Sequence, residues 1–315
     1  MRVIAPLFVA TQASVAAADQ FLTSSNVTEP FTGEAVWNSA TSYTVGQIVI
    51  RPTTHMKYEN IQAGINATLP ETDAALAIPT RWIRRGPTNK YAMFDQLRST
   101  QTSTTSPLIV VITPNKRINS FCATGLVGES LTVSMTQGGI EIYSVTQNLT
   151  TRIVKNYYDY CYAEFGNIPA FAKFDLPPAS NGVITFTLSS TASNVKCSGF
   201  TVGNQTYLGS LRLGAKIGSL NFSKIDRAFD GTATLVPRPS KPTVSGQLYS
   251  DATITDKVLA IRTLLDGVPA IFSGLDDEIN DPRFAGLLIS GLLRRLEPSL
   301  DYQDTNLIDI EIEEI

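Results

Sequence analysis

The side chains that most often carry catalysis are few in this chain, and their spacing matches no catalytic motif. His55 is the single histidine, so a Ser-His-Asp arrangement would have to use it, and no Gly-x-Ser-x-Gly sequence presents a nucleophilic serine. The stretch GLVGES lacks the Gly-Lys-[Ser/Thr] ending of a phosphate-binding loop. We therefore predict that the protein is not an enzyme and that it binds no cofactor.

Two acidic clusters carry enough carboxyl groups for general acid–base catalysis. Such catalysis needs two carboxyl groups that face each other across a cleft, in environments that separate their pKa values. Residues 276–278 (Asp-Asp-Glu) lie in a predicted exposed turn, whereas Asp309, Glu311 and Glu313 alternate with isoleucines and lie on the outer face of a predicted half-buried strand. We interpret both clusters as solvated surface.

The cysteines do not form a metal-binding or disulfide pattern. Cys122, Cys161 and Cys197 stand far apart, their number is odd, and none belongs to a Cys-x-x-Cys pair. A disulfide framework would use an even set, so we predict three buried free thiols. Because the chain has a single histidine, we predict no metal site of the usual His/Cys type.

Composition favours a β-rich protein that is exposed or assembled with other subunits. Charged residues make up 17% of the 315 residues, below the globular average of about 25%, while Ser, Thr and Asn are plentiful. The net charge of -3 provides no overall field that would attract nucleic acid. No run approaches 18 apolar residues, so we predict no membrane insertion.

The first twenty residues allow two interpretations. One early arginine, an apolar run and an Ala-x-Ala-like end near Ala18 suit a secretory signal peptide. Pro6, Gln12 and Ser14 interrupt the run, however, and favour an extended amino-terminal arm over residues 1–34 with a strand at RVIAPLFVA. Such an arm cannot bury itself, so it packs on its own protein or inserts into a partner.

The predicted elements give a mainly β fold in several units. Residues 35–98 form a small aromatic β module, in which SYTVGQIVIR and HMKYENIQ are antiparallel strands, and the Ser/Thr run at 99–106 is a linker. Residues 107–210 show short strands punctuated about every 10 residues, which indicates an antiparallel, jelly-roll-like β-sandwich. Residues 211–315 form an α+β unit, in which TDKVLAIRTLLDG is a helix that buries Val258, Ile261, Leu264 and Leu265.

The densest group of large side chains is TRWIRRGPTNKYAMFDQ, residues 80–96. We predict that Trp82 closes the core of the aromatic module and that Tyr91 and Phe94 pack between the module and the sandwich. Arginine and aromatic residues are enriched at protein interfaces, so the rim is a candidate subunit contact. A platform for glycan stacking and a phosphate-binding surface remain alternatives. The basic residues of this rim are Arg81, Arg84, Arg85 and Lys90.

The second aromatic group is the tyrosine-rich run YYDYCYAEF, which begins at residue 157. As a strand it would place Tyr158, Tyr160 and Tyr162 on one face, with the core on one side and a subunit contact on the other. Tyrosine suits such a contact because it buries a large area and keeps a polar tip.

The spacing of Trp37, Tyr43, Gly46, Tyr58 and Trp82 resembles the small carbohydrate-binding modules of families 5 and 12. It departs from them at Gln47, where an aspartate is usual, and in the long loop before Trp82. The resemblance implies that Trp37, Tyr43, Tyr58, Trp82 and Tyr91 are candidates for glycan binding or for an interface.

The continuation GPTNKYAMFD, the following β-sandwich and the stretch LGSLRLGAKIGSLNFSKIDRAFDG look like a group of tailed-bacteriophage structural proteins, as does LTSSNVTEPF at 22–31. This resemblance implies a virion tail-tip or baseplate subunit that is made in the host cytoplasm. It would oligomerise, contact other tail subunits and link the tail tube to host-adhesion parts. The alternatives are a protein that binds a cell-surface glycan and a secreted polysaccharide-active enzyme.

Overall fold

The computed structural model describes residues 1–10, 15–65, 67–152, 154–192, 194–227, 229–275, 284–299 and 304–315 of the chain. Strands predominate and helices are few and short, which confirms the prediction of a mainly β, sandwich-like protein. The helices are α1 (Val15–Phe21), α2 (Pro70–Asp73), α3 (Tyr157–Tyr162), α4 (Thr255–Leu264) and α5 (Phe284–Leu287), with 3-10 turns at Ala92–Phe94 and Ala252–Ile254.

The strands are β1 (Arg2–Pro6), β2 (Leu22–Ser25), β3 (Ser42–Tyr43), β4 (Ile48–Arg51), β5 (Met56–Asn60), β6 (Gly64–Ile65), β7 (Trp82–Pro87), β8 (Thr102–Thr105), β9 (Leu108–Ile112), β10 (Ser120–Thr124), β11 (Ser130–Gln137), β12 (Ile140–Asn148), β13 (Thr150–Thr151), β14 (Gly166–Asn167), β15 (Ala170–Lys173), β16 (Val183–Ser189), β17 (Asn194–Cys197), β18 (Gly199–Tyr207), β19 (Ser210–Leu211), β20 (Lys216–Leu220), β21 (Lys224–Arg227), β22 (Ala233–Val236), β23 (Lys241–Asp251), β24 (Ala270–Ser273), β25 (Leu288–Ser299) and β26 (Thr305–Glu314).

The chain divides into two compact units. The first, here called the terminal unit, comprises residues 1–6, 172–174 and 202–315, and the second, the central unit, comprises residues 7–171 and 175–201. These bounds differ from the four segments predicted from sequence. The predicted amino-terminal arm is shared between the units, whereas the aromatic module and most of the predicted sandwich belong to the central unit.

The terminal unit is built on one antiparallel sheet. Its strands follow the order β18, β1, β24, β25, β26 and β23, and both β19 and β20 pair with the other edge of β23. Arg2 lies opposite Tyr207 on one side and opposite Ser273 on the other, and Val3 is fully buried. The first half of the predicted strand at 2–10 therefore forms, as β1, and it packs on its own protein, whereas residues 7–10 are not in a strand.

Alternation along the strands explains the core of the terminal unit. Ile308, Ile310 and Ile312 of β26 are buried, as the sequence pattern predicts, and helix α4 adds Val258 to the same core. Leu265 is also buried, but Leu264 is exposed, contrary to the prediction. Positions 258 and 265 are buried and position 261 is partly buried, and the three follow the i, i+3, i+7 spacing of one helical face, which leaves position 264 off that face.

The central unit contains a five-stranded antiparallel sheet in the order β12, β11, β16, β9, β2. Alternate residues of its inner strands are buried, for example Leu131 and Val133 of β11 and Phe186 of β16. This period of two is what the sequence pattern predicted for the sandwich. Strand β2 adds residues from the predicted amino-terminal arm to this sheet, and the preceding residues form α1, a helix that the sequence pattern did not predict.

The aromatic module lies in the central unit and contains a three-stranded antiparallel sheet, β4-β5-β7. The predicted antiparallel pairing of its first two segments is confirmed, although the segment at 42–51 forms two strands, β3 and β4. A turn separates them, and Gly46 adopts a φ of 84° there, a left-handed conformation that costs glycine little.

The predicted linker at 99–106 is wrong. Thr102–Thr105 forms strand β8, which pairs with β17, and Thr102 is fully buried. Its hydroxyl donates to the carbonyl of Asn89 and accepts from the amide of Met93. Threonine is β-branched and can satisfy its hydroxyl on the backbone, so a Ser/Thr run can enter a core when such partners exist.

Candidate interaction surfaces

The aromatic residues that resemble a sugar-binding set form the core of their module. Tyr43, Tyr58 and Trp82 are buried in one cluster, and the ring of Tyr43 meets that of Trp82 edge to face at 5.2 Å. Trp37 is half-buried, and the guanidinium of Arg51 lies 4.9 Å from its ring centroid. The prediction that Trp82 closes the module's core is confirmed. Buried rings cannot stack on a sugar in this conformation, which removes the glycan platform proposed for Tyr58 and Trp82.

One carboxylate, which sequence reasoning missed, holds the entry to β7 in place. Asp73 accepts hydrogen bonds from the amide and hydroxyl of Thr80 (3.3 and 2.7 Å) and from the amides of Arg81 (2.8 Å) and Trp82 (2.7 Å). Burial raises the pKa of Asp73, but these hydrogen bonds outweigh it and hold that pKa below its ordinary value. The carboxylate is therefore a structural acceptor, and it fixes Trp82 in the core.

The basic residues of the 80–96 segment do not act as one charged patch. Arg85 forms an ion pair with Glu59, and the ammonium of Lys90 lies 5.6 Å from the ring centroid of Tyr91. Arg81 is half-buried and its guanidinium donates to the carbonyl of Ile65. Arg84 is exposed. This arrangement fits a polar rim better than a phosphate-binding surface.

Tyr91 and Phe94 are buried, as predicted for packing residues. The ring of Phe94 meets those of Phe8 and Phe21 edge to face, at 5.8 and 5.5 Å. Tyr91 stacks on His55 at 4.2 Å. Because both side chains are buried, another subunit could not contact them in this conformation, and we no longer consider them candidates for a subunit contact.

The single histidine lies between two carboxylates. Nδ1 of His55 is 2.7 Å from Oε2 of Glu29, and Nε2 is 3.2 Å from Oδ1 of Asp19. Burial lowers the pKa of His55, but the hydrogen bonds and negative charges of Glu29 and Asp19 outweigh it and raise that pKa above 6.5. The ring thereby connects helix α1 and the Glu29 loop to the turn between β4 and β5. We interpret this cluster as a structural clasp.

The tyrosine-rich run is a short helix, not the predicted strand. Asn156 caps α3 by accepting a hydrogen bond from the amide of Asp159 at 2.8 Å. The rings of Tyr157 and Tyr160, three residues apart, stack on each other, and the rings of Tyr158 and Tyr162, four residues apart, are in contact. Side chains three and four residues apart are neighbours on a helix, so the tyrosine spacing is also compatible with a helix. All four side chains are exposed by at least 65%. The prediction that one tyrosine face lies in the core is therefore wrong.

A larger exposed element follows in the terminal unit. We define the arm as residues 216–241, which run from the start of β20 to the start of β23. Strand β20 pairs with β23 at its base, and β21 pairs with β22 at its tip. No described residue of the arm is buried. This stretch belongs to the sequence that resembles phage structural proteins, and its isolated apolar residues between Gly and Pro turns are a signal that could have indicated an exposed hairpin.

The arm carries large apolar side chains in solvent. Phe229 at its tip is fully exposed, and Ile225 and Leu235, which lie opposite each other across β21 and β22, are 56% and 61% exposed. Contiguous exposed apolar groups on a soluble protein mark interaction sites, because water penalises their exposure. The arm is therefore the strongest candidate interaction surface of the terminal unit.

Comparison with protein-family models, curated proteins and solved structures finds no match to this chain.

The described residues contain no group of three or more His, Cys, Asp and Glu side chains that could hold a metal ion. The outward carboxylates of β26 lie beside arginines, with Glu313 2.6 Å from Arg294 and Asp309 3.8 Å from Arg295. The acidic cluster at 276–278 lies outside the described residues. Within the described part of the chain, no helix is long and apolar enough to cross a membrane.

The cysteines are unpaired and differ in exposure. Cys122 and Cys197 are buried, as predicted, but Cys161 on α3 is exposed, so the prediction of three buried thiols is wrong. It failed because it placed position 161 in a strand of the core.

Proposed function

We propose that this protein is a structural subunit of a phage tail tip or baseplate, which assembles with other tail subunits and links the tail tube to host-adhesion parts. The arm carries this proposal. It is held at its base by β23, yet it leaves Phe229, Ile225 and Leu235 exposed to solvent. A two-stranded hairpin with no covered face is marginally stable in water, so a partner surface that covers it would stabilise it.

The segment GPTNKYAMFD, which most resembles phage structural proteins, supports the proposal that the chain is part of a virus particle. In GPTNKYAMFD, the amide of Asn89 donates a hydrogen bond to the carboxylate of Glu34. The side chain of Asn89 donates to the carbonyl of Ser103 in β8 and accepts from the amide of Ser103. Tyr91 and Phe94 of this segment are buried. A subunit scaffold of this kind needs a rigid body and an exposed contact element, and no catalytic set.

The proposal is tested by replacing apolar residues of the arm in the particles that carry this chain. We expect Phe229→Ser with Leu235→Ser to reduce incorporation of the chain and infectivity strongly, because an aromatic anchor at the centre of an interface dominates binding. Ile140→Ser is the matched control, since Ile140 is 71% exposed on β12, outside the arm. Normal, infectious particles from the double variant would contradict the proposal.

A second candidate function is contact with a cell-surface glycan, through α3 and not through the buried aromatic module. It is favoured by the exposed rings of Tyr158 and Tyr162, whose centroids are 5.0 Å apart, and by the exposed Phe165. We expect a glycan array with the folded protein to show binding that Tyr158→Ala with Tyr162→Ala removes. Absence of any binding above background would exclude this candidate.

A further inference from the structure

We infer that helix α1 (Val15–Phe21) is a pH-sensitive latch, which is closed while both ring nitrogens of His55 carry a proton and opens when one proton leaves. Such a latch goes beyond the proposed function and is independent of it. Three features of the central unit carry it: the number of hydrogen bonds that His55 donates, the way its ring is fixed, and the apolar side chains that α1 covers.

His55 has a carboxylate on each side of its ring. Nδ1 lies 2.7 Å from Oε2 of Glu29, and Nε2 lies 3.2 Å from Oδ1 of Asp19. A protonated imidazole donates from both nitrogens, whereas a neutral one has a single N–H and a lone pair on the other nitrogen. Both hydrogen bonds therefore exist only in the protonated form. When one proton leaves, one of the two carboxylates faces a lone pair, and that contact becomes repulsive.

The contact with Asp19 is the one that is lost. The side chain of Glu29 is 6% exposed and its other oxygen accepts from the hydroxyl of Thr88 at 2.7 Å, whereas the side chain of Asp19 is 61% exposed. The shorter and more deeply buried hydrogen bond keeps the remaining proton on Nδ1. Deprotonation therefore leaves the lone pair of Nε2 facing Asp19, and α1 loses its polar contact with the ring.

The ring of His55 is fixed, whereas α1 is free to respond. The backbone carbonyl of His55 accepts from the amide of Thr88 at 2.9 Å, and the ring stacks on Tyr91 at 4.2 Å. Helix α1 has seven residues, and a helix this short is not stable in water without tertiary contacts. The helix is therefore the element that moves when its contact with His55 is lost.

The groups around the ring determine the direction of the pH response. Asp19 faces it from α1 and Glu29 from the loop after β2, Tyr91 stacks on it, and the ammonium of Lys90 lies 5.6 Å from the centroid of the Tyr91 ring. Burial lowers the pKa of His55, but the hydrogen bonds and charges of the two carboxylates outweigh it and raise that pKa above 6.5. Burial raises the pKa of Tyr91, so its phenol stays neutral. The latch is therefore closed below pH 6.5 and opens as pH rises through the raised pKa.

Opening of the latch uncovers an apolar cluster. Ala18 and Phe21 of α1 are buried. The ring of Phe21 stacks on that of Phe8 at 4.8 Å and meets that of Phe94 edge to face at 5.5 Å. Phe8, Ala18 and His55 are among the residues that line a cavity with about 10 Å³ of room for the centre of a water molecule, so this contact is not tightly packed. Contiguous exposed apolar groups mark interaction sites, and the open latch presents such a site only at the higher pH.

The test is hydrogen exchange of the full chain, followed by mass spectrometry at about pH 5.5 and about pH 8.5, on either side of the ordinary histidine pKa. After correction for intrinsic exchange rates, we expect the protection of peptides from residues 15–21 to fall about tenfold or more at the higher pH, because a hydrogen bond to a charged group is lost. Peptides from β16, whose alternate residues are buried, report unfolding of the whole unit. At the higher pH the α1 peptides should exchange faster than those of β16, because the opening is local.

Two variants identify the proton that controls the latch. Asp19→Asn supplies an amide, which accepts a hydrogen bond from a protonated Nε2 and donates one to a neutral Nε2, so the pH response of α1 should disappear. His55→Gln cannot gain a proton, and α1 should be poorly protected at both pH values. Asp256→Asn is the matched control, because it makes the same change at an exposed position of α4, and α1 should respond as in the wild type.

Equal protection of α1 at the two pH values in the wild type would overturn the inference, as would a pH response that survives in Asp19→Asn. If α1 and β16 exchanged at the same rate at the higher pH, the unit would open as a whole, and this too would overturn it. The particle experiment that tests the proposed function replaces no residue of the latch, so the two proposals can fail separately.

Discussion

At the scale of single residues, Asp73 shows how one buried carboxylate determines local structure. Its two oxygens accept four hydrogen bonds from three consecutive residues, Thr80, Arg81 and Trp82. Without it, backbone amides at the start of β7 would be buried without acceptors, which is costly. The largest ring of the aromatic module is thus held in place by a polar group on a separate helix, α2.

We expect Asp73→Asn to destabilise the protein by about 1–3 kcal/mol, because the new amide would point a donor at the amides of Arg81 and Trp82. Thermal unfolding followed by tryptophan fluorescence would measure the change. Glu71→Gln is the matched control, since Glu71 lies on the same helix and makes an ion pair with Arg51 that is partly exposed. Equal stability of the two variants would contradict the role given to Asp73.

The His55 clasp predicts a pH dependence. Since the folded-state pKa of His55 is raised above 6.5, its charged form contributes stability below that value, and this contribution is lost as pH rises through the raised pKa. Because the chain has one histidine, its ring resonance can be followed without assignment in a proton NMR titration. We expect a midpoint above 6.5 that Glu29→Gln lowers. A wild-type midpoint at or below 6.5 would show that the carboxylates do not hold the ring.

Thiol reactivity tests where the chain places its cysteines. Burial raises the pKa of Cys197 to about 12 and also raises that of Cys122, so both should resist labelling. We expect a thiol reagent to label one cysteine in the native protein and three in denaturant. Cys161→Ser should abolish the native labelling. Persistent labelling of that variant would mean that the buried sites open readily.

At the scale of elements, the sequence was informative where one periodicity had no competitor. The alternation of isoleucines in NLIDIEIEEI predicted β26, and TDKVLAIRTLLDG predicted α4. The sequence-based prediction was wrong at residues 157–162. Some of the tyrosines there are three or four residues apart, so their rings also contact each other in a helix, and the cap at Asn156 favours the helix. The partners that bring Thr102 into the core, Asn89 and Met93, lie 13 and 9 residues before it, and no local pattern shows that the chain folds back to bring them together.

The pairing of β1 with β18 depends on one glycine. A side chain at Gly203 would place its Cβ 2.3 Å from the carbonyl oxygen of Ala5, which lies in the opposite strand. We expect Gly203→Ala to destabilise the terminal unit by about 1–3 kcal/mol, because the strands would have to separate. The control is Gly166→Ala in β14, where the nearest atom would be 3.4 Å away, at ordinary contact distance. A neutral effect on chemical denaturation at both positions would argue against this pairing.

At the scale of the whole molecule, what the sequence could predict was the class of fold, a mainly β, sandwich-like protein. It could not predict which surfaces stay open. The 80–96 segment looked like an interface, yet Trp82, Tyr91 and Phe94 are buried, whereas none of the described residues of the arm at 216–241 is buried. Exposure depends on whether another part of the chain covers a segment, and local composition does not contain that information.

The most direct test of the central claim is peptide mass spectrometry on purified tailed particles from the culture that produces this chain. We expect its peptides, including those from residues 1–20, to be present in the particles at a fixed ratio to other tail subunits. Finding the chain only in the medium, cut near Ala18, would contradict the claim and favour a secreted protein.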